Sequence, residues 1–333
     1  MKYIKLFEDF DSYDPYELMI TPPNKKAEML IQEIEKKDKA NLNLVRDLIV
    51  LGANLDWQDE EGWTALHLCA NQNRTEIVQL LIDAGADLNI QSTNGRTALH
   101  WCAYKNHPEI AKMLIDAGAD LNIQDNDGKT ALYYCARRNH PEIAGLLIDA
   151  GADLNIQDND GWTALQLCAS NNHPGIVRML IDAGADLNIQ DTAGWTALHW
   201  CANDNHSEIL GILIDAGADL NIQDTDGLTA LHWCARYNQP EILRMLIDAG
   251  ADLNIQNVYG WTALHFCARD NRPEIARVLL DAGADMNMLN EDGMSALHLC
   301  ARFDHPEIAR MLINAGADMN ICGIKMENSP TSL

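Results

Sequence analysis

The sequence predicts an all-α fold with short β-hairpin turns, a solenoid of stacked helix-turn-helix units, and three observations carry the prediction. Eight cysteines, Cys69 to Cys300, recur at intervals of 33 residues. The sequence around each recurs with it, so that a 33-residue unit appears eight times from Asp59 to Cys322 without insertion or deletion. Inside the unit, apolar residues fall at i, i+3 and i+4 in two short segments separated by Asn, which is the period of helices and not of strands. A unit this small cannot bury its apolar faces alone, so neighbours must stack into a linear array.

Charge and composition narrow the function classes. The 333 residues hold 24 Lys plus Arg against 49 Asp plus Glu, a net charge of −25, which repels phosphate backbones and anionic lipid surfaces. Nucleic-acid binding by bulk charge is therefore not expected. No stretch approaches the ~20 apolar residues of a membrane span, and MKYIKLFEDF turns acidic before a signal-peptide core can form. A soluble protein of the reducing cytoplasm, without membrane insertion, is expected. Neither a CxxC pair nor a Cys/His cluster accompanies the nine cysteines, so no metal site is signalled.

The elements follow in chain order. Residues 1–25, with Pro15, Pro22 and Pro23, read as an amino-terminal tail. Residues 26–58 keep the second-helix part of the unit, LVRDLIVLGANLDWQ, behind a charged stretch, and read as a degenerate capping unit. Residues 59–322 are the eight units, and 323–333 form a carboxyl-terminal tail too short to cap the array. Part of the last unit's outer face, with Ile308, Met311 and Leu312, is left to lie bare or to be covered by Ile321, Ile324 and Met326.

Within one unit, Asp191 to Gln223, DTAGWT is turn chemistry with Gly194 where positive φ is easiest. Thr196 caps a first helix whose Leu198, Cys201 and Ala202 form one thin apolar face. Asn205 stands where the chain reverses, in the left-handed conformation that Asn tolerates well; seven units have Asn there and the eighth has Asp304. The second helix usually opens on Pro, repeats the i, i+3, i+4 pattern with Ile209, Ile212 and Leu213, and ends at Gly217.

Taken together, GxTALHxCA, HPEI and LIDAGADLN strongly resemble the ankyrin repeat, and the resemblance covers all eight units. The family's usual Pro in its TPLH run is Ala in each unit, and its Gly between the helices is Asn. The resemblance implies that His67, His100, His199, His232, His265 and His298 bond to the capping Thr or Ser. Tyr133 and Gln166 replace that His in the third and fourth units, so the bonding is not carried over to those two. The Asp87–Asn89 pair and its repeats imply a loop brace.

Apparent catalytic or ligand motifs reduce to repeat chemistry. Gly128-Lys129-Thr130 imitates a phosphate loop, but Ile123 stands where that loop needs Gly. Asp125, Asp127 and Gly128 imitate a calcium loop, but Tyr134 stands where it needs Glu. No cofactor, metal or catalytic residue is expected. A row of Asp from Asp83 to Asp281 near the second-helix ends opposes the helix dipole and reads as a solubilising stripe.

The informative positions are those that differ between units. Hairpin tips carry Trp63, Arg96, Lys129, Trp162, Trp195, Leu228, Trp261 and Met294, and first-helix ends include Tyr104, Arg137, Arg138, Arg236, Tyr237, Arg269, Arg302 and Phe303. In the family these sets line the concave groove. The tip and helix-end residues, Leu228 and Met294 aside, are the candidate partner-binding set. Trp162 and Trp195 are expected as exposed tips of little consequence for stability. Trp101, Tyr134, Trp200, Trp233 and Phe266 are expected in the core. The function that follows is a non-enzymatic interaction module or scaffold for a protein partner with acidic and apolar residues. Alternatives are self-association, as a homodimer, through the poorly capped carboxyl-terminal end, and a host-directed effector or regulator, delivered to or expressed in a host cell and acting through its tails.

Overall fold

A computed structural model of the protein describes residues 15–36 and 40–321. The first part of FEDFDSYDPYEL, Cys322 and the carboxyl-terminal tail lie outside the described residues. Among those described are nineteen helices and no strand.

The chain forms two compact units, residues 1–159 and 160–333. In the first, α1 (Pro15–Ile20), α2 (Pro23–Glu35) and α3 (Leu42–Val50) precede three repeats: α4 (Ala65–Gln72) with α5 (Thr75–Asp83), α6 (Ala98–Lys105) with α7 (Pro108–Asp116), and α8 (Ala131–Arg138) with α9 (Pro141–Asp149). The second holds five: α10 (Ala164–Ser170) with α11 (Pro174–Asp182), α12 (Ala197–Asp204) with α13 (Ser207–Asp215), α14 (Ala230–Tyr237) with α15 (Pro240–Asp248), α16 (Ala263–Asp270) with α17 (Pro273–Asp281), and α18 (Ala296–Phe303) with α19 (Pro306–Ala315).

Residues 15–20 and 23–25, read from sequence as tail, are helical, and Leu18 and Leu30 are buried. α2 packs on α3 and α4, and Lys26 reaches back to donate to the Leu51 carbonyl at 2.7 Å. Burial of so charged a helix on one face while Lys25, Glu28 and Lys36 stay in water suits an end-cap.

Within each unit the first helices stack in one row and the second helices in another: α4, α6 and α8 beside α5, α7 and α9, and α10 through α18 beside α11 through α19. Cys and Ala make the first row possible. Cys69, Cys102, Cys135, Cys168, Cys201, Cys234 and Cys267 are wholly buried, and burial pushes the thiols of Cys69, Cys102, Cys168, Cys201, Cys234 and Cys267 well above their ordinary range. Cys300 is pushed up only to about 11. None of these eight cysteines is in a disulfide.

The expected capping is present, with one refinement. Thr64 Oγ1 accepts from the His67 N–H while His67 Nδ1 accepts from the Thr64 N–H at 3.1 Å, a reciprocal capping box. His67 Nε2 then bonds the Arg96 carbonyl of the next repeat at 2.9 Å, so one imidazole caps its own helix and ties down the following tip. Gln166 does the same work as His, accepting from the Thr163 N–H at 2.7 Å and donating to the Trp195 carbonyl at 2.7 Å. Tyr133 does not: Thr130 Oγ1 accepts from its N–H, and no side-chain bond returns. The residues from Asn73 to Asn271 and Asp304 that reverse the chain all have φ between 51° and 61°.

Tips interlock by backbone bonds. The Thr225 N–H donates to the Ala193 carbonyl of the preceding tip at 3.1 Å. Gly194 sits at φ 80°, and a Cβ there would lie 2.7 Å from the Thr225 nitrogen, so both conformation and proximity require glycine. The loop brace is confirmed, the Asn89 Oδ1 accepting from the Asp120 N–H at 2.8 Å. A second ladder escaped the sequence reading: Gln91 Nε2 donates to the Gly95 carbonyl and to the Gln124 carbonyl one repeat on, and Gln58, Gln124, Gln190, Gln223 and Gln256 repeat the pattern.

Candidate functional site

The hairpin tips and the ends of the first helices lie together in each compact unit because the tip of one repeat leads directly into its capped first helix. Their side chains do not project singly. In the first unit Trp63 packs at a tilt on Trp101 with centroids 4.7 Å apart, Trp101 meets Tyr104 edge-on at 5.9 Å, Tyr104 meets Tyr134 at 5.7 Å, and Tyr134 meets Tyr133 at 5.7 Å. In the second, Trp162 packs at a tilt on Trp200 at 4.3 Å, Trp200 on Trp195 at 4.5 Å and Trp195 on Trp233 at 4.6 Å, while Trp233 stacks on Tyr237 at 5.7 Å.

These ladders correct the division into exposed tips and core. Trp162 and Trp195 are half-buried against the very residue expected to be core, and Trp101 and Trp200 are themselves half-buried at the surface. Only Tyr134 at 4%, Phe266 at 5% and Trp233 at 8% exposure sit inside. The cause is geometric: a ring at the start of the first helix and a ring at a neighbouring tip are brought to one level by the stacking of repeats, so each shields the other.

Hydrogen bonds fix the inner rings. Trp200 and Trp233 donate Nε1–H to Asp191 Oδ2 at 3.2 Å and to Asp224 Oδ2 at 3.1 Å, each the first residue of its own tip. Tyr134 donates its hydroxyl to Asp125 Oδ2 at 2.5 Å. The other oxygen, Oδ1 of Asp125, accepts the N–H groups of Asp127 and Lys129, which is why the calcium-like sequence is a turn. Burial pushes the Asp125 carboxyl upward, but the bonds from Tyr134, Lys129, Asp127 and Arg96 outweigh it and leave the group below the usual carboxylate range. Tyr134 is pushed up by burial first and by Asp125 second.

Cations dress the ladders. The Arg96 guanidinium donates to the Tyr134 hydroxyl at 2.6 Å and to Asp125 at 3.3 Å, and lies 4.8 Å from the Tyr134 centroid. Arg138 sits 3.7 Å over Tyr104, Lys105 5.6 Å from the same ring, and Lys129 5.6 Å from Tyr133 while pairing with Asp127. Burial first, with the Asp158 charge, pushes the Tyr133 phenol up to about 12, and the Arg137 guanidinium works the other way. In the second unit Arg236 lies over Trp233 and Tyr237, and Arg302 over Phe303. Arg269 lies over Trp261 and Phe266 and pairs with the adjacent Asp270. Tyr237 and Phe303 are 48% and 44% exposed. Beside Arg236 and Arg269 opens a cavity of about 370 Å³, lined by Leu228, Phe266, Tyr259 and Trp261 and also by the carboxylates of Asp226, Glu291 and Asp292.

Among the described residues no group of three or more His, Cys, Asp or Glu is placed to hold a metal ion, and no helix is long and apolar enough to cross a membrane. What the arrangement offers chemically is a band of half-exposed aromatic faces bordered by guanidinium and ammonium groups, a surface for recognition by contact. Compared with known families, the chain is similar to the model described as ankyrin repeats (3 copies), which matches residues 34–125, 117–191, 184–257 and 249–321. None of the curated proteins compared with it matches.

Proposed function

Because the chain belongs to the ankyrin repeat family, whose repeats are generally protein-interaction modules, we propose that it is a non-enzymatic scaffold that binds a partner protein along its tips and first-helix ends. One observation supports this above others: the positions that vary from repeat to repeat are those that carry half-exposed rings and stacked cations, while the invariant positions are consumed by capping, stacking and bracing. The candidate residues are Trp63, Arg96, Tyr104, Lys129, Arg137, Arg138, Trp162, Trp195, Arg236, Tyr237, Trp261, Arg269, Arg302 and Phe303. A cytoplasmic, reducing compartment suits eight cysteines that are in no disulfide.

The test leaves the core alone. Arg236 and Arg302 are exposed and make no ion pair among the described residues. The full chain carrying Arg236→Glu and Arg302→Glu should melt with the natural protein and lose a protein captured by the natural chain from its native cell. Capture undiminished by both changes, or lost only together with folding, would count against this surface.

A further inference from the structure

The surplus of acid in this chain makes one patch stand out. At the tips and first-helix ends of the second and third repeats gather Arg96, Lys105, Lys129, Arg137 and Arg138, of which Arg96 pairs with Asp125 and Lys129 with Asp127. Both carboxylates are already engaged, Asp125 by Arg96 and Tyr134 and Asp127 by Lys129. Lys105 and Arg138 form no ion pair among the described residues, and both are exposed above the face of Tyr104.

The helix dipole does not by itself demand these cations. Helix α12 ends on Asn203 and Asp204 and is as long as α6 and α8. Nor does packing demand them, since their charged ends reach water. The Arg138 guanidinium lies 3.7 Å from the Tyr104 ring centroid and, with no ion pair among the described residues, keeps its N–H groups for a planar, bidentate acceptor.

We propose that this patch docks an acidic peptide segment of a partner protein, in which carboxylates of Asp or Glu meet Arg138 and Lys105 and an adjoining aromatic side chain lies on the Trp101–Tyr104 edge. The proposal rests on the protein-binding reading above and adds the chemistry of the bound segment. Charge complementarity at the patch, with the Arg138 guanidinium and the Lys105 ammonium beside the Trp101 and Tyr104 rings, commits it to a segment that carries carboxylates next to an aromatic side chain.

The experiment uses the full chain and three labelled probes, followed by fluorescence anisotropy: the peptide EEFEEYEE, its Lys counterpart KKFKKYKK, and a twelve-nucleotide oligothymidylate. The acidic peptide should bind tightest, and its affinity should fall when salt is raised from 0.05 to 0.5 M, because screening shortens the reach of exposed charges. Lys105→Glu with Arg138→Glu should weaken the acidic peptide by roughly tenfold or more, the size expected for losing a charge-assisted contact. The same change should raise affinity for the Lys peptide and leave melting unaltered, a swap in preference that a purely structural role would not produce. Arg138→Lys, which keeps the charge and loses the planar fork, should fall between. Equal binding of the acidic and Lys peptides, no effect of the double variant, or tighter binding of the oligonucleotide overturns the inference. If the acidic peptide fails here while partner capture still depends on Arg236 and Arg302, the interaction reading stands and this inference alone is lost.

Discussion

Ser92 shows how much one side chain in a tip decides. In other repeats the first tip residue is Asp125, Asp191 or Asp224, whose Oδ1 accepts two tip N–H groups while Oδ2 accepts a hydrogen bond from Tyr134 O–H, Trp200 Nε1–H or Trp233 Nε1–H. Ser92 is too short for either task. Its hydroxyl goes to Asn94 Oδ1 and the Arg96 carbonyl, and Trp101 Nε1 is left buried without a partner. An unmatched donor costs free energy. Ser92→Asp should therefore raise stability by about 1 kcal/mol, the net value of a made hydrogen bond, read as a higher melting temperature. A lower one would show that Trp101 has no use for the carboxylate.

At the level of the element, the capped first helix carries a pH dependence. Burial pushes His67, His100, His199, His232 and His265 below the ordinary 6.5, and His100 and His232 to about 4, despite the carbonyl bonds that work the other way. The unfolded chain takes up protons near pH 6.5 that the folded chain refuses until about pH 4. This contribution to stability is complete above the unfolded value and is lost as pH falls between the two, on the order of 3 kcal/mol for each strongly shifted imidazole. Urea midpoints at pH 7.5, 6 and 4.5 should fall in that order. Gln166 demonstrates that an uncharged amide can fill the same place, accepting from the Thr163 N–H and donating to the next tip. A chain with His100→Gln and His232→Gln should accordingly lose less between pH 7.5 and 4.5, and an unchanged acid slope would assign the loss to other groups.

For the whole molecule, contacts between nearest neighbours make stability local. Trp200 holds Trp162 and Trp195 together in the second unit, so Trp200→Ala opens a hole in the middle of a ladder. Because the ring is half-buried, about 2 kcal/mol is expected, below the range for a fully enclosed aromatic. Amide exchange should quicken first in the repeats spanning residues 160–237, with little change in those of the first unit. Uniform quickening across all eight repeats would mean that the array opens as one cooperative body. Charge is also distributed by face at this scale: Asp83, Asp116, Asp149 and their successors stay exposed at the second-helix ends, with Lys112 pairing Asp116 at 3.0 Å, while the unpaired cations of the second and third repeats gather at first-helix ends.

The sequence by itself determined the period, both helices of each repeat, the Thr caps, the left-handed Asn and the small Cys and Ala row, because each follows from local backbone chemistry or from a spacing along one chain. It also determined which positions vary. Only the tertiary structure decided what those variable side chains do, since Trp162 and Trp200, and likewise Trp195 and Trp233, belong to successive repeats and meet only when the repeats stack. A hydropathy pattern ranks each ring alone and so divided them into tips and core. Stacking brings them to one level, where each excludes water from the next, and that mutual shielding has no signature in any single repeat. The same holds for Arg96, Tyr134 and Asp125, whose contact is set by the step from one tip to the next helix.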